Sequence, residues 1–457
     1  MNSDPSAAII TRFPPSPTGV LHVGSYRTAL YSWLYARQNN GTFVLRIEDT
    51  DKERSTPEFE TNIYESLNWL GIEADDAYRQ SDRSARHAEV LQQLIDNGQA
   101  YISKEEVKKE GQRAEVIRFK NPNEEVVFRD AVRGDVTFDT TDLGDFVIAK
   151  SMNEPLYHLA VVVDDYDSGI THVIRGEDHI SNTPRHILIQ KAIQAPRPIY
   201  AHIPLILATD KSKLSKRNGA RAILEYRDEG FLPDAILNYM ALLGWNPGTE
   251  QEIFSRDELL KEFSLERIHK GGAIFSEEKM RWINREHIKR LPVDTLHTFL
   301  REFLLRSPRL TEKKWKLTNE VFDRIVPIIT ERIETFKDAT ELLTSGELDY
   351  FFEAPTYPDA QALVWKKSTL EKAREHLSTV YNTLEGLPEN AFEYDKLKES
   401  LWDYAEAEGK GDVLWPLRYA LSGKEKSPDP FTLTEALGKT ETLTRVKNAQ
   451  QKLDSAL

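Results

Sequence analysis

Apolar positions along this chain follow several different spacings, and the changes between them mark its organisation. The run "AIITRF" (8–13) is short, apolar and β-branched, which predicts a strand. In "SYRTALYSWLYARQNNG" (25–41) Tyr26, Leu30, Trp33 and Leu34 share one helical face, and Gly41 sits where a helix stops. "TFVLRI" (42–47) predicts a second strand, so the order strand–helix–strand suggests a right-handed parallel crossover. A further helix is expected at 56–70, ending at Gly71.

The rhythm breaks over 79–155. "SDRSARHAEVLQQLIDNG" reads as a helix, and "EVIRFK", "EVVFRDAVRGDVTFD" and "DFVIAKS" read as antiparallel strands with polar turns. This stretch has the pattern of an insertion. The parallel pattern resumes with strands at "YHLAVVVDD" (157–165), "THVIRG" (171–176) and "YAHIPLIL" (200–207), with a helix at 181–194. From 230 onward the helical period dominates, with linker candidates at "GWNPGTEQ" (244–251) and "EAPTYPDAQ" (353–361). No internal repeat or low-complexity tract is visible. The expected fold class is α/β: a parallel sheet in two halves, split by an α+β insertion and followed by an all-α C-terminal half.

Composition narrows the functional classes. A length of 457 residues exceeds one ordinary core and suggests about two to four domains. Hydrophobic residues at 40% and charged residues at 29% are the balance of a water-soluble globular protein. No run approaches the ~18 apolar residues of a membrane helix, and "MNSDPSAAIITRF" has no basic region followed by an apolar core, so no signal peptide is expected. Cysteine is absent, which excludes disulfides and thiolate metal sites and suits a reducing cytoplasm. The net charge of −14 argues against a nucleic-acid partner only globally. From Lys279 to Lys316 eleven Lys/Arg face four Asp/Glu, a segment of +7. It reads either as a solvated helix face or as a phosphate-binding patch.

Candidate chemistry follows from placement. In open parallel sheets, ligands bind beyond the carboxyl ends of the strands. Three strand ends offer Arg12, Glu48 in "RIEDTD" and Arg175 in "THVIRGEDH". Two guanidinium forks suit two carboxylates and a glutamate suits an ammonium, which sketches a site for a dicarboxylic amino acid. Each could equally be a structural ion pair. After the first strand, "RFPPSPTGVLHVGS" (12–25) must turn sharply into a helix at His22–Ser25. A helix N-terminus binds anions. Gly24 admits a ligand to the backbone, His22 can donate to a phosphate oxygen, and Pro14, Pro15 and Pro17 stiffen the turn. The plainer alternative is a rigid turn with a cap. A second phosphate candidate is "DKSKLSKRNGA" (210–220), with Lys211, Lys213, Lys216, Arg217 and Gly219, otherwise a solvated basic turn.

In order and spacing, "RFPPSPTGVLHVGS", "RIEDTD", "YHLAVVVDD", "VIRGEDH" and "KLSKR" resemble the bacterial glutamyl-tRNA synthetases. "HVGS" and "KLSKR" are similar to the two signatures of class I aminoacyl-tRNA synthetases. "GGAIFSEEKMRWINREHI" (271–288) and "PLRYALSGKEKSPDPFTLTEALGKTETLTRV" (416–446) resemble the family's stem-contact and anticodon-binding parts. The resemblance covers nearly the whole chain. It implies a Rossmann-like catalytic domain at 1–78 and 156–228, an inserted tRNA acceptor-binding domain at 79–155, a stem-contact domain at 229–315 and a helical anticodon-binding domain at 316–457. It implies ATP-dependent activation of L-glutamate to glutamyl-adenylate, then transfer to the terminal adenosine of tRNA-Glu, with no covalent enzyme intermediate. Activation in the family usually waits for tRNA.

By the same resemblance His22, Gly24, Lys213 and Lys216 bind ATP, with His22, Lys213 and Lys216 catalytic. Arg12, Ser16, Glu48, Tyr157 and Arg175 hold glutamate, and Mg2+ accompanies ATP. A cytoplasmic monomer with no membrane partner is implied. Three departures stand out. "AYISKEEVKKEGQRAE" lacks the cysteines of the zinc site some members carry, so no structural zinc is expected. Val161 stands where some members have Asn, and Pro14 and Leu214 replace the usual Ala and Met. The shortened relative that glutamylates queuosine in tRNA-Asp lacks a tail like the ~200 residues after 250. Glutaminyl-tRNA synthetases carry a β-barrel tail where this one reads helical. A small-molecule nucleotidyltransferase would not need the tail, and a catalytically dead tRNA-binding protein would not need His22, Lys216 and Arg175. Whether tRNA-Gln is charged as well stays open at this point.

Overall fold

The computed structural model describes residues 8–106, 114–215 and 219–457. The chain divides into two compact units, one up to His287 and one from Ile288 to Leu457.

In the first unit β1 (Ile10–Phe13), α1 (Val23–Gln38), β2 (Thr42–Ile47), α2 (Pro57–Trp69) and β3 (Asp76–Arg79) form the expected parallel crossovers. The strand order is β1-β2-β3, with Arg12 opposite Val44 and Phe13 opposite Leu45. At the α1–β2 turn, a Cβ on Gly41 would sit 2.8 Å from Ile9 Cβ, so a side chain there would push the turn off the strand. The insertion carries α3 (Ser84–Asp96), β4 (Ala100–Lys104), β5 (Glu115–Phe119), β6 (Glu125–Asp130), β7 (Gly134–Asp139), β8 (Phe146–Ser151) and β9 (Glu154–Pro155). Strands β4, β5, β8 and β9 make an antiparallel sheet.

The hairpin β6–β7 behaves differently. It joins β10 (His172–Gly176) and β11 (Ile199–Ile203) in the order β10-β11-β6-β7. Tyr200 pairs with Asp130 in parallel, and Ala131 N–H donates to Tyr200 O at 2.8 Å. The insertion thus contributes a hairpin to the second half of the sheet. The halves meet where Thr171 N–H donates to Ile10 O (3.0 Å) and Ile10 N–H donates to Thr171 Oγ1 (2.8 Å).

One expected strand is a helix. Residues Tyr157–Asp167 form α4. Leu159, Ala160, Val161, Val162 and Val163 are all at most 2% exposed. A segment buried on every side has no polar face, so its period cannot separate strand from helix. Leu159, Val162 and Val163 pack with Val90 and Leu94 of α3, with Val173, and with Ile187 and Leu188 of α5 (Thr183–Ala192) in one core.

From Ile206 to His287 come two two-residue strands paired in parallel, β12 (Ile206–Leu207) and β13 (Ala273–Ile274). The helices are α6 (Ile223–Asp228), α7 (Pro233–Leu242), α8 (Arg256–Glu262) and α9 (Glu277–Ile288), whose last residue begins the second unit. That unit is helical, as expected: α10 (Val293–Leu305), α11 (Pro308–Glu312), α12 (Asn319–Thr330), α13 (Phe336–Thr344), α14 (Leu370–Gly386), α15 (Tyr394–Glu408), α16 (Lys410–Ser422) and α17 (Pro430–Asp454), which breaks at Gly438 (φ 72°). Leu377, Val380 and Leu384 of α14, Leu417 and Leu421 of α16, and Val446 and Leu453 of α17 are buried.

Candidate active site

A cleft of about 900 Å³ lies past the ends of β1, β2 and β10. Arg12, Ser16, Glu48, Tyr157 and Arg175 line it, and so do His22, Gly24 and Lys213. The described residues that the family resemblance assigns to ATP and glutamate thus share one cleft, while Lys211 and Gly219 of the basic loop are not among its lining residues. Lys216 lies outside the described residues.

The floor at one end is the start of α1. His22 is its N-cap, and its Nδ1 accepts from Gly24 N–H (3.1 Å) and Ser25 N–H (3.4 Å). An Nδ1 that accepts leaves the proton of the neutral ring on Nε2. Nε2 lies 3.4 Å from Ser25 Oγ, at the positive end of a 16-residue helix. A Cβ on Gly24 would stand 3.1 Å from the His22 ring, so the glycine gives the ring its place. The proline-rich turn is pinned, since Glu48 N–H donates to Pro15 O (2.9 Å) and Thr56 N–H to Pro17 O (3.1 Å). Lys213 Nζ meets Asp178 Oδ2 at 2.6 Å across the cleft entrance. Burial alone would raise the Asp178 carboxyl, but the hydrogen bond and the charge of Lys213 hold it below the usual range.

At the other end lies a buried charge network. Arg12 Nε donates to Asp165 Oδ1 (3.2 Å), and Arg46 bridges Asp165 Oδ1 (2.7 Å) and Glu48 Oε1 (3.2 Å). His87 Nε2 and Gln80 Nε2 hold Asp164 at 2.8 Å each. Arg12 is thus already charge-paired, as one of the open readings allowed, although it still faces the cleft. Burial pushes the Glu48 carboxyl up to about 6 against the pull of Arg46 and Arg12. Tyr157, first residue of α4, sits 3.3 Å from His179 Nδ1.

Arg175 differs from Arg12. It is 5% exposed, and its donors reach His202 Nε2 (3.1 Å), His186 Nδ1 (3.2 Å) and Thr183 Oγ1 (2.8 Å). None of these partners is an anion. A guanidinium has five N–H groups. Three are used, and the two that remain are the number a bidentate carboxylate takes. Burial, then the charge of Arg185, pushes the His158 imidazole down to about 4; burial, then Arg175, does the same for His179. Both rings are therefore neutral near pH 7.

The sequence reading missed Arg46, Asp165, Asp178, His186 and His202. Arg46 could have been noticed as a charge inside an apolar strand, and Asp164–Asp165 as an acidic pair closing an apolar run. The two histidines carry no such signal.

The cleft thus has the positive end of a helix at one end and a buried network of charged side chains at the other. The family model for tRNA synthetases class I (E and Q), catalytic domain, matches residues 8–115 and 102–282, and that for an anticodon binding domain matches 295–450. The fold and these matches therefore define a class I aminoacyl-tRNA synthetase. The chain is 40% identical over 474 aligned residues to glutamate–tRNA ligase 1 of Acidithiobacillus ferrooxidans, covering 97% of this chain and 99% of that one. A glutamate tRNA ligase from Elizabethkingia meningosepticum, solved in complex with its amino acid, superposes with a TM-score of 0.82 at 32% identity, covering 98% and 100% of the two chains. The glutamate-tRNA synthetase of Elizabethkingia anophelis gives 0.81 at 32% identity, covering 97% and 100%. The chain belongs to the glutamate–tRNA ligases.

Proposed function

We propose that Arg175 receives a carboxylate of L-glutamate and that Glu48 receives its ammonium, while the start of α1 cradles the phosphates of ATP. The observation that carries this reading is the buried Arg175 guanidinium with two N–H groups to spare and no anion beside it. Charge kept out of water and unpaired is costly, and a ligand carboxylate offsets that cost. Ser16, Tyr157 and Arg12 complete the glutamate wall. His22, Gly24 and Lys213 face the nucleotide, with Lys216 joining them by its place in "KLSKR".

In this arrangement a glutamate carboxylate oxygen attacks the α-phosphorus of ATP and pyrophosphate leaves. The 2′-hydroxyl of the tRNA's terminal adenosine then attacks the activated carbonyl, and AMP leaves. The protein supplies orientation and positive charge where negative charge builds. Mg2+ bound with the ATP phosphates would share in neutralising them. Among the described residues no three His, Asp or Glu side chains gather to hold a metal ion of their own.

For tRNA we assign acceptor binding to 79–155, stem contact to 229–315 and anticodon binding to 316–457, with the +7 segment from Lys279 to Lys316 meeting phosphates. The partner is tRNA-Glu, and the working form is a cytoplasmic monomer. No helix among the described residues is long and apolar enough to cross a membrane.

The test is Arg175→Ala in aminoacylation. Losing a buried bidentate partner costs about 3–5 kcal/mol, a KM for glutamate about 10²- to 10⁴-fold higher, with the KM for ATP nearly unchanged. An unchanged KM for glutamate would overturn the assignment.

A further inference from the structure

We infer that Asp130 and His202 are positioning residues for glutamate: together they fix the ring proton so that Arg175 keeps one free fork for a carboxylate. The inference rests on the assignment of Arg175 above. Asp130 ends β6, in the insertion, and is 1% exposed; His202 lies on β11 and is fully buried. Neither lines the cleft. Asp130 Oδ1 accepts from Val132 N–H (2.9 Å) and Arg133 N–H (2.8 Å). Its Oδ2 accepts from His202 N–H (3.1 Å) and stands 2.6 Å from His202 Nδ1.

An ionised carboxylate can only accept, so Nδ1 carries the proton. In the neutral ring Nε2 is then a lone pair, and it faces both Arg175 Nε and Thr183 Oγ1 at 3.1 Å. The opposite tautomer would set N–H against N–H. Burial pushes the His202 imidazole down despite Asp130, which keeps the ring neutral. His186 repeats the device: its Nδ1 accepts from Arg175, and its Nε2 lies 3.2 Å from His158 Nδ1. Neutral acceptors hold the guanidinium in place without cancelling its charge. A carboxylate in either position would pair with Arg175 and compete with the substrate.

Asp130→Asn would place an amide N–H against His202 Nδ1 and turn the ring over. His202→Phe would remove the acceptor and keep the bulk, and His202→Gln would return an acceptor oxygen near Nε2. The experiment is steady-state aminoacylation of tRNA-Glu by these full-length variants beside Arg175→Ala, with KM for glutamate, KM for ATP and kcat measured separately. Asp130→Asn and His202→Phe should raise the KM for glutamate about ten- to a hundredfold, the worth of one charge-assisted hydrogen bond. Their kcat and KM for ATP should stay within about twofold, and His202→Gln should recover most of the loss. A wild-type KM for glutamate in both, or equal loss in all three constants, would overturn the inference. If Asp130→Asn does not fold, the His202 pair decides alone. An Arg175→Ala enzyme with unchanged KM for glutamate would fell the glutamate assignment itself. A raised KM there with no change in the other variants would fell only the positioning role.

Discussion

Glu48 gives the sharpest pH prediction. Its carboxyl is 7% exposed, and burial lifts it from the usual 4.5 to about 6, with Arg46 and Arg12 pulling the other way and Asp165 adding to the lift. That rise amounts to about 2 kcal/mol of disfavoured charge, at about 1.4 kcal/mol for each pH unit. The sign follows directly. The folded carboxyl binds its proton more tightly than the unfolded chain does. The unliganded protein therefore gains stability from this group as pH falls from 6 toward 4.5. Substrate has the opposite effect, because an ammonium needs the ionised form. In aminoacylation with saturating ATP and tRNA-Glu, kcat/KM for glutamate should fall about tenfold per pH unit below about 6. The corresponding limb in kcat should lie lower, since the bound ammonium pulls the carboxyl down. Glu48→Gln should remove the limb and lower kcat/KM at pH 7.5 by about 10²- to 10³-fold, the loss of a buried ion-pair partner. An inflection at the ordinary carboxylate value, or a limb that survives in Glu48→Gln, would refute the reasoning.

Other outcomes follow from single contacts. Gly24→Ala puts a methyl 3.1 Å from the His22 ring and should raise the KM for ATP about tenfold while sparing that for glutamate, read in the same assay. Lys216→Ala should lower kcat more than it raises the KM for ATP if its contact tightens in the transition state; a pure KM effect would contradict that. In the second unit, Gly411→Ala would drive a Cβ to 2.6 Å from Trp365 Cε2. Such overpacking should cost about 1–3 kcal/mol, measured by denaturant unfolding followed through tryptophan fluorescence.

The parts of the fold legible in the sequence were those with a local cause. β1 and β2 are short apolar, β-branched runs, and α1 and α2 stop just before Gly41 and Gly71. The candidate cleft was legible because topology puts ligands past strand ends, and Arg12, Glu48 and Arg175, which line the cleft, occupy those places. What escaped depends on distant neighbours. α4 looked like a strand because burial on all sides erased its period. The pairing of β6 with β11 joins residues seventy positions apart, Asp130 and Tyr200, and nothing local announces it. The same distance hides Asp130–His202 and the pairing of Arg12 and Arg46 with Asp165. That pairing is why Arg12 and Arg175, alike in the sequence, differ in the cleft: one guanidinium already has its anion.

The most direct measurement is aminoacylation with labelled glutamate on purified tRNA-Glu and, separately, tRNA-Gln, with labelled glutamine as the control amino acid. The account predicts ATP-dependent glutamylation of tRNA-Glu and no charging with glutamine. Glutamate on tRNA-Gln as well would keep the chemistry and widen the tRNA choice. Folded protein that charges neither tRNA with glutamate, or that prefers glutamine, would contradict the account.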